Sequence, residues 1–525
     1  MENKRSIEYY ESHMWDVKLE DITSSKDNAE ILRQLRDNDP YFTSITLTNS
    51  AMDYDDFVVG TNDDLGWVGY FIGRNTQLYY FYIFTWLEGE PDHSKIDALA
   101  HGLSLNRSIS TLSIDTEFGE PFLQRFGNFL RSNKNLTHLY LAEFDIGLET
   151  ARNLALMLRD GMSLESFHVE RLCYDSDSDD FTDEGAVTAE VITSLSKHTK
   201  VECLHLWTCN LDGGSCIALG RLSSLKELKL FHSKIDFKGM KALTDNMFCC
   251  LGSLEIYSTS IEYEKEVTLS SGLAKLQSLK KLNLTNSIDN DALQCVAAAI
   301  ANNATVEVLN ISENNSITAK GLSSLSSLLQ SDKCCLRELV LQGMHIGDDG
   351  AVALAEALAG NKSLKCLKFY DHISSTISST SYVEHGITAI GRSAFTRLLC
   401  DTSSINNTFL SNHTLERCDT SDVDRDFEDY LWMNKHLLHV AMQKILESHA
   451  DFDMKPLFQW QLKLLPLMIA WFGLARARWR ESIDSLQHRE ISAIFQFVRG
   501  LPLLTVAGWQ NVADTESKKR KFDHL

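Results

Sequence analysis

Three aspartates in this sequence have the spacing of a metal-binding loop. Asp175, Asp177 and Asp179 occupy the first, third and fifth positions of a calcium loop, where carboxylates ligate the ion. Such a loop also needs a glycine at its sixth position and a bidentate glutamate at its twelfth, and Asp180 and Ala186 stand there instead. A solvated acidic loop is therefore expected rather than a calcium site.

The spacing of histidines and cysteines does not match a zinc site. His436 and His439 lie three residues apart on an expected helix, but no third ligand follows at a spacing that zinc uses. The 12 cysteines include no CxxC pair, and several stand at positions expected to be buried. They are interpreted as reduced, packed thiols. No metal and no cofactor are expected.

The sequence contains no known catalytic signature. A glycine-rich phosphate loop, a nucleophile elbow, an HExxH motif and the kinase motifs are all missing. No pattern places a nucleophile beside a base, so the chain is not expected to be an enzyme. Its 72 acidic and 50 basic side chains give a formal net charge of −22, which disfavours binding to the phosphates of nucleic acid.

An internal repeat determines which elements position these side chains. In its clearest copy, Leu336, Leu339 and Leu341 form an LxxLxL pattern, and apolar residues then recur at helical spacing between Val352 and Leu358. A strand and helix this short cannot bury their apolar faces alone, so the copies must stack on one another. Most intervals between copies are about 24 to 30 residues long. The other copies begin near Phe42, Leu78, Ile109, Leu136, Leu164, Val201, Leu225, Leu251, Leu279, Val306, Leu364 and Ile405.

These units resemble leucine-rich repeats of the ribonuclease-inhibitor type over roughly residues 41–416. The segment RLLCDTSSINNTFLSNHTL at 397–415, with the helix-rich sequence after it, resembles the terminal region of a mostly uncharacterised algal group. The resemblance implies an α/β fold, a leucine-rich-repeat solenoid or horseshoe with parallel concave strands, outer helices and a helical C-terminal cap. It implies a non-enzymatic scaffold for protein binding.

The resemblance also leaves a second function open. The GTPase-activating protein of the Ran cycle has similar repeats, so stimulation of a small GTPase is the alternative. That family carries an acidic C-terminal tail, whereas this chain ends in a basic one, and its functional arginine has no match here.

The repeat array needs a cap at each end, because a bare solenoid end would expose an apolar cross-section. Residues 1–40 are predicted to be the N-terminal cap, in which Ile31, Leu32 and Leu35 share one helical face. Residues 417–510 break the repeat in tryptophan-rich, helical sequence and are predicted to be the C-terminal cap.

The last residues, 511–525, are expected to form a disordered basic tail. A compact basic run there is typical of a nuclear-localisation signal and also of a merely solubilising tail. The run consists of Lys518, Lys519, Arg520 and Lys521. The first residues lack the apolar segment of a secretory signal, and the uncharged stretch at 464–475 is too short to span a membrane. The cytoplasm is the expected location, or the nucleus if the tail is an import signal.

The repeat pattern also predicts the binding face. The leucines of LxxLxL point into the core and the residues between and just after them point outward, because side chains alternate along a strand. Aromatic side chains concentrate at these outward positions in the first two-thirds of the array, a composition typical of interaction hot spots. The alternative is that the rings serve only to pack on one another or on a loop. The predicted partner-binding residues are Tyr82, Phe84, Tyr140, His168, His205, Trp207, Phe231 and Tyr257.

Overall fold

The computed structural model divides the chain into two compact units, Met1–Ser287 and Ile288–Leu525. The acidic loop around Asp177, His439 and the basic tail lie outside the described residues. The structure describes residues 7–48, 56–59, 65–84, 93–115, 119–142, 146–161, 163–172, 182–196, 200–235, 237–245, 250–261, 273–302, 305–369, 386–419, 425–437 and 440–449.

The first unit is built on parallel strands. They are β1 (Ser44–Thr48), β2 (Asp56–Val58), β3 (Tyr80–Phe84), β4 (Thr111–Asp115), β5 (His138–Ala142), β6 (Ser166–Glu170), β7 (Cys203–Trp207), β8 (Asn210–Leu211), β9 (Glu227–Phe231), β10 (Lys234–Ile235), β11 (Ser253–Tyr257), β12 (Ser260–Ile261) and β13 (Lys281–Asn283). The main sheet has the order β2-β1-β3-β4-β5-β6-β7-β9-β11-β13, and β8, β10 and β12 form a small second sheet. Sequential repeats therefore contribute neighbouring strands.

One helix follows most strands of the first unit. The helices are α1 (Ile7–His13), α2 (Lys26–Asp37), α3 (Leu65–Arg74), α4 (His93–Leu105), α5 (Gly119–Ser132), α6 (Leu148–Gly161), α7 (Thr182–Leu195), α8 (Gly213–Gly220) and α9 (Phe237–Asp245), with a 3-10 turn at Leu19–Asp21. Successive helices from α3 to α9 pack on one another. The approach of α3 to α4 requires glycine, because a Cβ at Gly102 would collide with the carbonyl group of Gly69.

The second unit repeats the same plan. Its strands β14 (Val308–Asn310), β15 (Glu338–Val340), β16 (Cys366–Lys368) and β17 (Arg417–Asp419) pair in parallel in that order. Its helices are α10 (Asn290–Asn302), α11 (Ala319–Ser323), α12 (Leu325–Leu329), α13 (Gly347–Leu358), α14 (Ala389–Leu399), α15 (Ile405–Leu410), α16 (Arg425–His436) and α17 (Val440–Ser448). Among the helices of the described residues, none has the length and apolarity needed to cross a membrane.

The leucine pattern forms the core, as predicted. Leu225, Leu228 and Leu230 have no exposed surface, and the residues between them on β9 are half-buried. The helix predicted from Ile31, Leu32 and Leu35 is α2, whose apolar face is buried. The fold is an α/β leucine-rich-repeat solenoid in which parallel strands alternate with helices.

After several strands the turn is closed by a polar side chain. The hydroxyl group of Ser233 accepts a hydrogen bond from the backbone N–H of Cys209 at 3.2 Å and donates to the carbonyl of Phe231 at 3.0 Å. In the second unit the amide of Asn314 donates to the carbonyls of Ile311 and Ser312. These groups satisfy backbone polar atoms that would otherwise be buried without a partner.

The position predicted for the last copy was wrong. Ile405 begins helix α15, and the strand that pairs with β16 is β17, preceded by the fully buried Leu415. The long interval after Leu364 contains two apolar segments, and the second of them, LxxC, holds a cysteine in the place of a leucine. Cys418 is buried, so the thiol takes the packing role of the missing side chain.

Candidate protein-interaction face

The outward positions of the first unit form a continuous face, here called the open face, made of two columns of side chains. In the first column Tyr82 pairs with Ser113, Ser113 with Tyr140, Tyr140 with His168 and His168 with His205. In-register pairing of parallel strands places these side chains about 5 Å apart from strand to strand. All of them are half-buried or exposed.

The second column lies two residues further along each strand than the first. Glu170 pairs with Trp207, Trp207 with Phe231 and Phe231 with Tyr257. Phe84 begins this column on β3 and is 42% exposed. The eight predicted residues thus all lie on the open face.

Six of the eight predicted residues form one chain of ring contacts, which we call the aromatic ridge. The ring centroids of Tyr140 and His168 are 4.1 Å apart, and those of His168 and His205 are 5.3 Å apart. His168 also lies 6.5 Å from Trp207. The ridge continues from Trp207 to Phe231 at 5.0 Å and from Phe231 to Tyr257 at 5.9 Å.

The other two predicted residues stand apart from the ridge. Tyr82 and Phe84 are on β3, with β4 and its small or acidic side chains between them and β5. The ring of Tyr82 lies parallel to that of Tyr80, with centroids 6.3 Å apart. Together with Tyr80, Tyr82 and Phe84 therefore form a second aromatic group on the same face.

Sequence reasoning missed one ring of the ridge, that of His232. This residue lies directly after the end of β9, outside the strand positions used for the prediction, and its backbone is left-handed (φ 47°). Its ring centroid is 5.8 Å from that of Trp207 and 5.6 Å from that of Tyr257. Thr208 and Ser258 have the same left-handed conformation in neighbouring repeats, so the position recurs. That recurrence is the signal that would have identified it.

A polar network borders the ridge and was also missed. Nε2 of His205 donates to the carboxylate of Glu227 at 2.8 Å, and Nζ of Lys229 donates to the same oxygen at 2.9 Å. Glu255 then accepts from Lys281 at 2.8 Å and lies 3.8 Å from Lys229. Glu227 and Lys281 belong to the first outward position of each strand, which the two predicted columns left out. The charges of Glu227, Lys229, Glu255 and Lys281 neutralise one another across β9, β11 and β13.

The network fixes the ionisation of its acidic member. Burial alone would raise the pKa of Glu227, but the hydrogen bonds from Lys229 and His205 outweigh it and the pKa is lowered. Burial alone would lower the pKa of Lys229, but its bond to Glu227 and the charges of Glu255 and Glu227 together outweigh burial, and the pKa is raised. Both side chains are therefore charged at neutral pH.

His168 is the neutral member of the ridge. Burial, helped by the nearby His205 and Lys229, lowers its pKa to about 4. Nδ1 of His168 lies 3.3 Å from Nδ1 of His205, whose other nitrogen donates to Glu227. This contact engages Nδ1 of His168 and leaves Nε2 as its other ring nitrogen. That nitrogen is buried and has no hydrogen-bond partner in the described residues.

The geometry of the face suits contact rather than reaction. The rings of the ridge pack against one another and remain half-buried, and Glu227, Lys229, Glu255 and Lys281 beside them are engaged in ion pairs. Within the described ranges, no group of three or more histidine, cysteine or acidic side chains could hold a metal ion. His436 stacks on Trp432 with centroids 4.9 Å apart and bonds its carbonyl.

Comparison with known proteins agrees with the repeat architecture. A family model described as Leucine Rich repeat matches residues 302–326 and 332–355. Ribonuclease inhibitor from Sus scrofa is 29% identical over 44% of this chain and 56% of its own length, and that from Mus musculus is 29% identical over 33% and 40%. An internalin from Listeria monocytogenes covers 67% of this chain and 92% of its own, with 18% identity and a TM-score of 0.34.

The repeats, the sheet topology and the family-model match define a leucine-rich-repeat protein. Within that class the chain is similar to the ribonuclease inhibitors. Its matches span about half the length of those curated relatives, or less. Membership of the narrower algal group stays a prediction.

Proposed function

We propose that this protein is a non-enzymatic interaction scaffold that binds another protein on the open face of its first unit. The observation that supports the proposal most directly is the aromatic ridge, in which seven rings, including that of His232, are joined across five neighbouring strands. Large rings held in place by a sheet bury area on binding with little loss of conformational entropy. The ribonuclease inhibitors are proteins whose names state that they act on another protein, which is in keeping with this role.

The rings pack on one another and still keep part of their surface exposed. The two interpretations offered by the sequence are therefore compatible, because mutual packing holds the ridge in one conformation before a partner arrives. A preorganised surface avoids the cost of ordering side chains during association.

The proposal is tested with the double variant Trp207→Ala/Phe231→Ala. If the ridge is the contact surface, the Kd for capture of the partner by the immobilised protein should rise by more than about 100-fold. This rise corresponds to a loss of about 3 kcal/mol of binding free energy. Leu156→Ala/Ile217→Ala is the matched control, because these side chains are 42% and 43% exposed on α6 and α8. Equal capture by both double variants, with unchanged thermal midpoints, would refute the proposal.

Stimulation of a small GTPase stays the alternative, without a specific structural feature in its favour. Single-turnover GTP hydrolysis with candidate GTPases separates the two functions. Acceleration at micromolar protein would support the alternative, and unchanged hydrolysis would leave the scaffold.

A further inference from the structure

Four rings at one end of the aromatic ridge form a closed group, which we call the four-ring cluster. The centroid distances are 5.0 Å from Trp207 to Phe231, 5.9 Å from Phe231 to Tyr257, 5.6 Å from Tyr257 to His232 and 5.8 Å from His232 back to Trp207. His232 is exposed and the other three side chains are half-buried, so the cluster reaches solvent. Its mutual contacts hold each ring in place before anything binds.

The two outer rings of the cluster are two strands apart. Trp207 on β7 and Tyr257 on β11 both lie in the second column, and Phe231 on β9 stands between them in register. Neighbouring strands are about 4.8 Å apart, so the backbones of Trp207 and Tyr257 are separated by about 9.6 Å across the sheet. A polyproline II helix rises about 3.1 Å per residue with three residues per turn, so the same side of it recurs about every 9.3 Å. One turn of such a helix therefore fits the spacing of the two outer rings.

The polar groups that the cluster offers to a ligand are hydrogen-bond donors. Within the described residues, neither the indole N–H of Trp207 nor the ring of His232 makes a hydrogen bond. An indole nitrogen can only donate, and an imidazole carries at least one N–H whether neutral or protonated. The carboxylates of Glu227 and Glu255 beside the cluster already accept hydrogen bonds from the polar network. A ligand that is rich in acceptors and poor in donors therefore complements this surface.

We infer that the four-ring cluster binds a proline-rich segment of the partner protein in the polyproline II conformation, with prolines three residues apart on Trp207 and Tyr257. The inference rests on the proposed function and specifies the chemistry of the partner. Proline brings a carbonyl acceptor without a backbone N–H, which matches the donors of Trp207 and His232. Such segments dock on aromatic surfaces at small entropic cost, because they are extended before they bind.

The probe for this inference is a fluorescein-labelled peptide, PAAPAAPAAP, compared with the labelled isomer PAPAPAPAAA. The two peptides have the same composition and no charged side chain, but only the first has prolines three residues apart. Fluorescence anisotropy with the full-length protein measures both affinities. We expect PAAPAAPAAP to bind at least about fivefold more tightly, because only this peptide can bury two proline rings on the two outer rings at once. Equal affinity for the two peptides, including no measurable binding of either, would overturn the inference.

Three single variants locate the preference. Trp207→Ala removes one of the two outer rings and should make the affinities for the two peptides equal. Trp207→Phe keeps a ring in that place and removes the indole donor, so it should bind PAAPAAPAAP more weakly than the wild type does and still prefer it. Trp432→Ala is the matched control, because Trp432 is 46% exposed on α16, and it should behave as the wild type. A retained preference in Trp207→Ala, an unchanged affinity in Trp207→Phe, or an equal loss in Trp432→Ala would contradict the inference.

Capture of the whole partner separates this inference from the proposed function. If capture is lost in Trp207→Ala/Phe231→Ala while the wild-type protein binds the two peptides equally, the scaffold function stands and the proline-rich segment is refuted. If capture survives in that double variant, the proposed function fails first.

Discussion

Lys444 on α17 provides a measurable test of how the second unit is held together. Its side chain has no exposed surface, and Nζ donates to the carbonyl of Leu399 at 2.7 Å and to that of Asn412 at 3.2 Å. These acceptors lie at the end of α14 and in the segment before β17. A single amine therefore joins three segments of the unit.

Burial lowers the pKa of Lys444 to about 7, against an ordinary value of 10.5. In the unfolded chain the amine keeps its proton up to the higher value, so between these two pH values the unfolded state binds more protons than the folded state. Stability must then rise with pH across this window. From pH 7.0 to 8.5 the gain is about 1.5 kcal/mol. The two carbonyl acceptors favour the protonated amine, so this figure is an upper bound.

The assay is urea unfolding at pH 7.0 and 8.5 for the wild type and for Lys444→Met, which keeps the length of the side chain. The wild type should gain up to about 1.5 kcal/mol relative to the variant over this interval. Lys435→Met on α16 is the control, because Lys435 is exposed, and it should behave as the wild type. If the difference between wild type and Lys444→Met is the same at both pH values, the reasoning about the buried amine is wrong.

Two further predictions concern the ridge and the C-terminal region. Because burial lowers its pKa to about 4, His168 should stay neutral by ¹⁵N NMR above about pH 5, and a protonation midpoint near the ordinary value of 6.5 would contradict the burial of the ring. We also propose that the chain after β17, within the predicted cap 417–510, covers the end of the array, since Asn434 of α16 donates to the carbonyl of Leu415 at 2.6 Å. A chain ending at Asp419, which keeps β17, should aggregate, whereas a monomeric, cooperatively unfolding product would contradict the cap.

The open face could be predicted from the sequence because the positions of the buried leucines determine which residues of each strand point outward. Alternation with period two places His205 and Trp207 on one side once Leu204 and Leu206 are known to be buried. Pairing in register then brings equivalent positions of successive repeats together. The same logic extends to Glu227, which would have been found had the first outward position been included.

A ladder of asparagines was not predicted, although the sequence contains its signal. Asn106 accepts from the backbone N–H groups of Ser108 and Ile109, and its amide donates to the carbonyls of Ile72 and Asn75. It thereby bridges two repeats, and Asn75, Asn133, Asn361 and Asn412 bond the backbone after them in the same way. The recurring NxxL or NxxI at the start of the copies is visible beside the leucines. Its role depends on hydrogen bonds between repeats, which a frame of apolar residues does not encode.

The two units offer a partner different chemistry, and this difference argues for the first one. In the second unit, Oδ1 of Asn310 accepts from the backbone and hydroxyl groups of Ser312, and Lys368 is paired with Glu338 at 2.7 Å. A partner docking there would have to replace polar bonds already made, with little net gain. On the ridge of the first unit the half-buried rings of Trp207, Phe231 and Tyr257 keep apolar surface in water, and its removal is favourable without such an exchange. Binding energy should therefore concentrate around Trp207 and Phe231, with the polar network setting orientation.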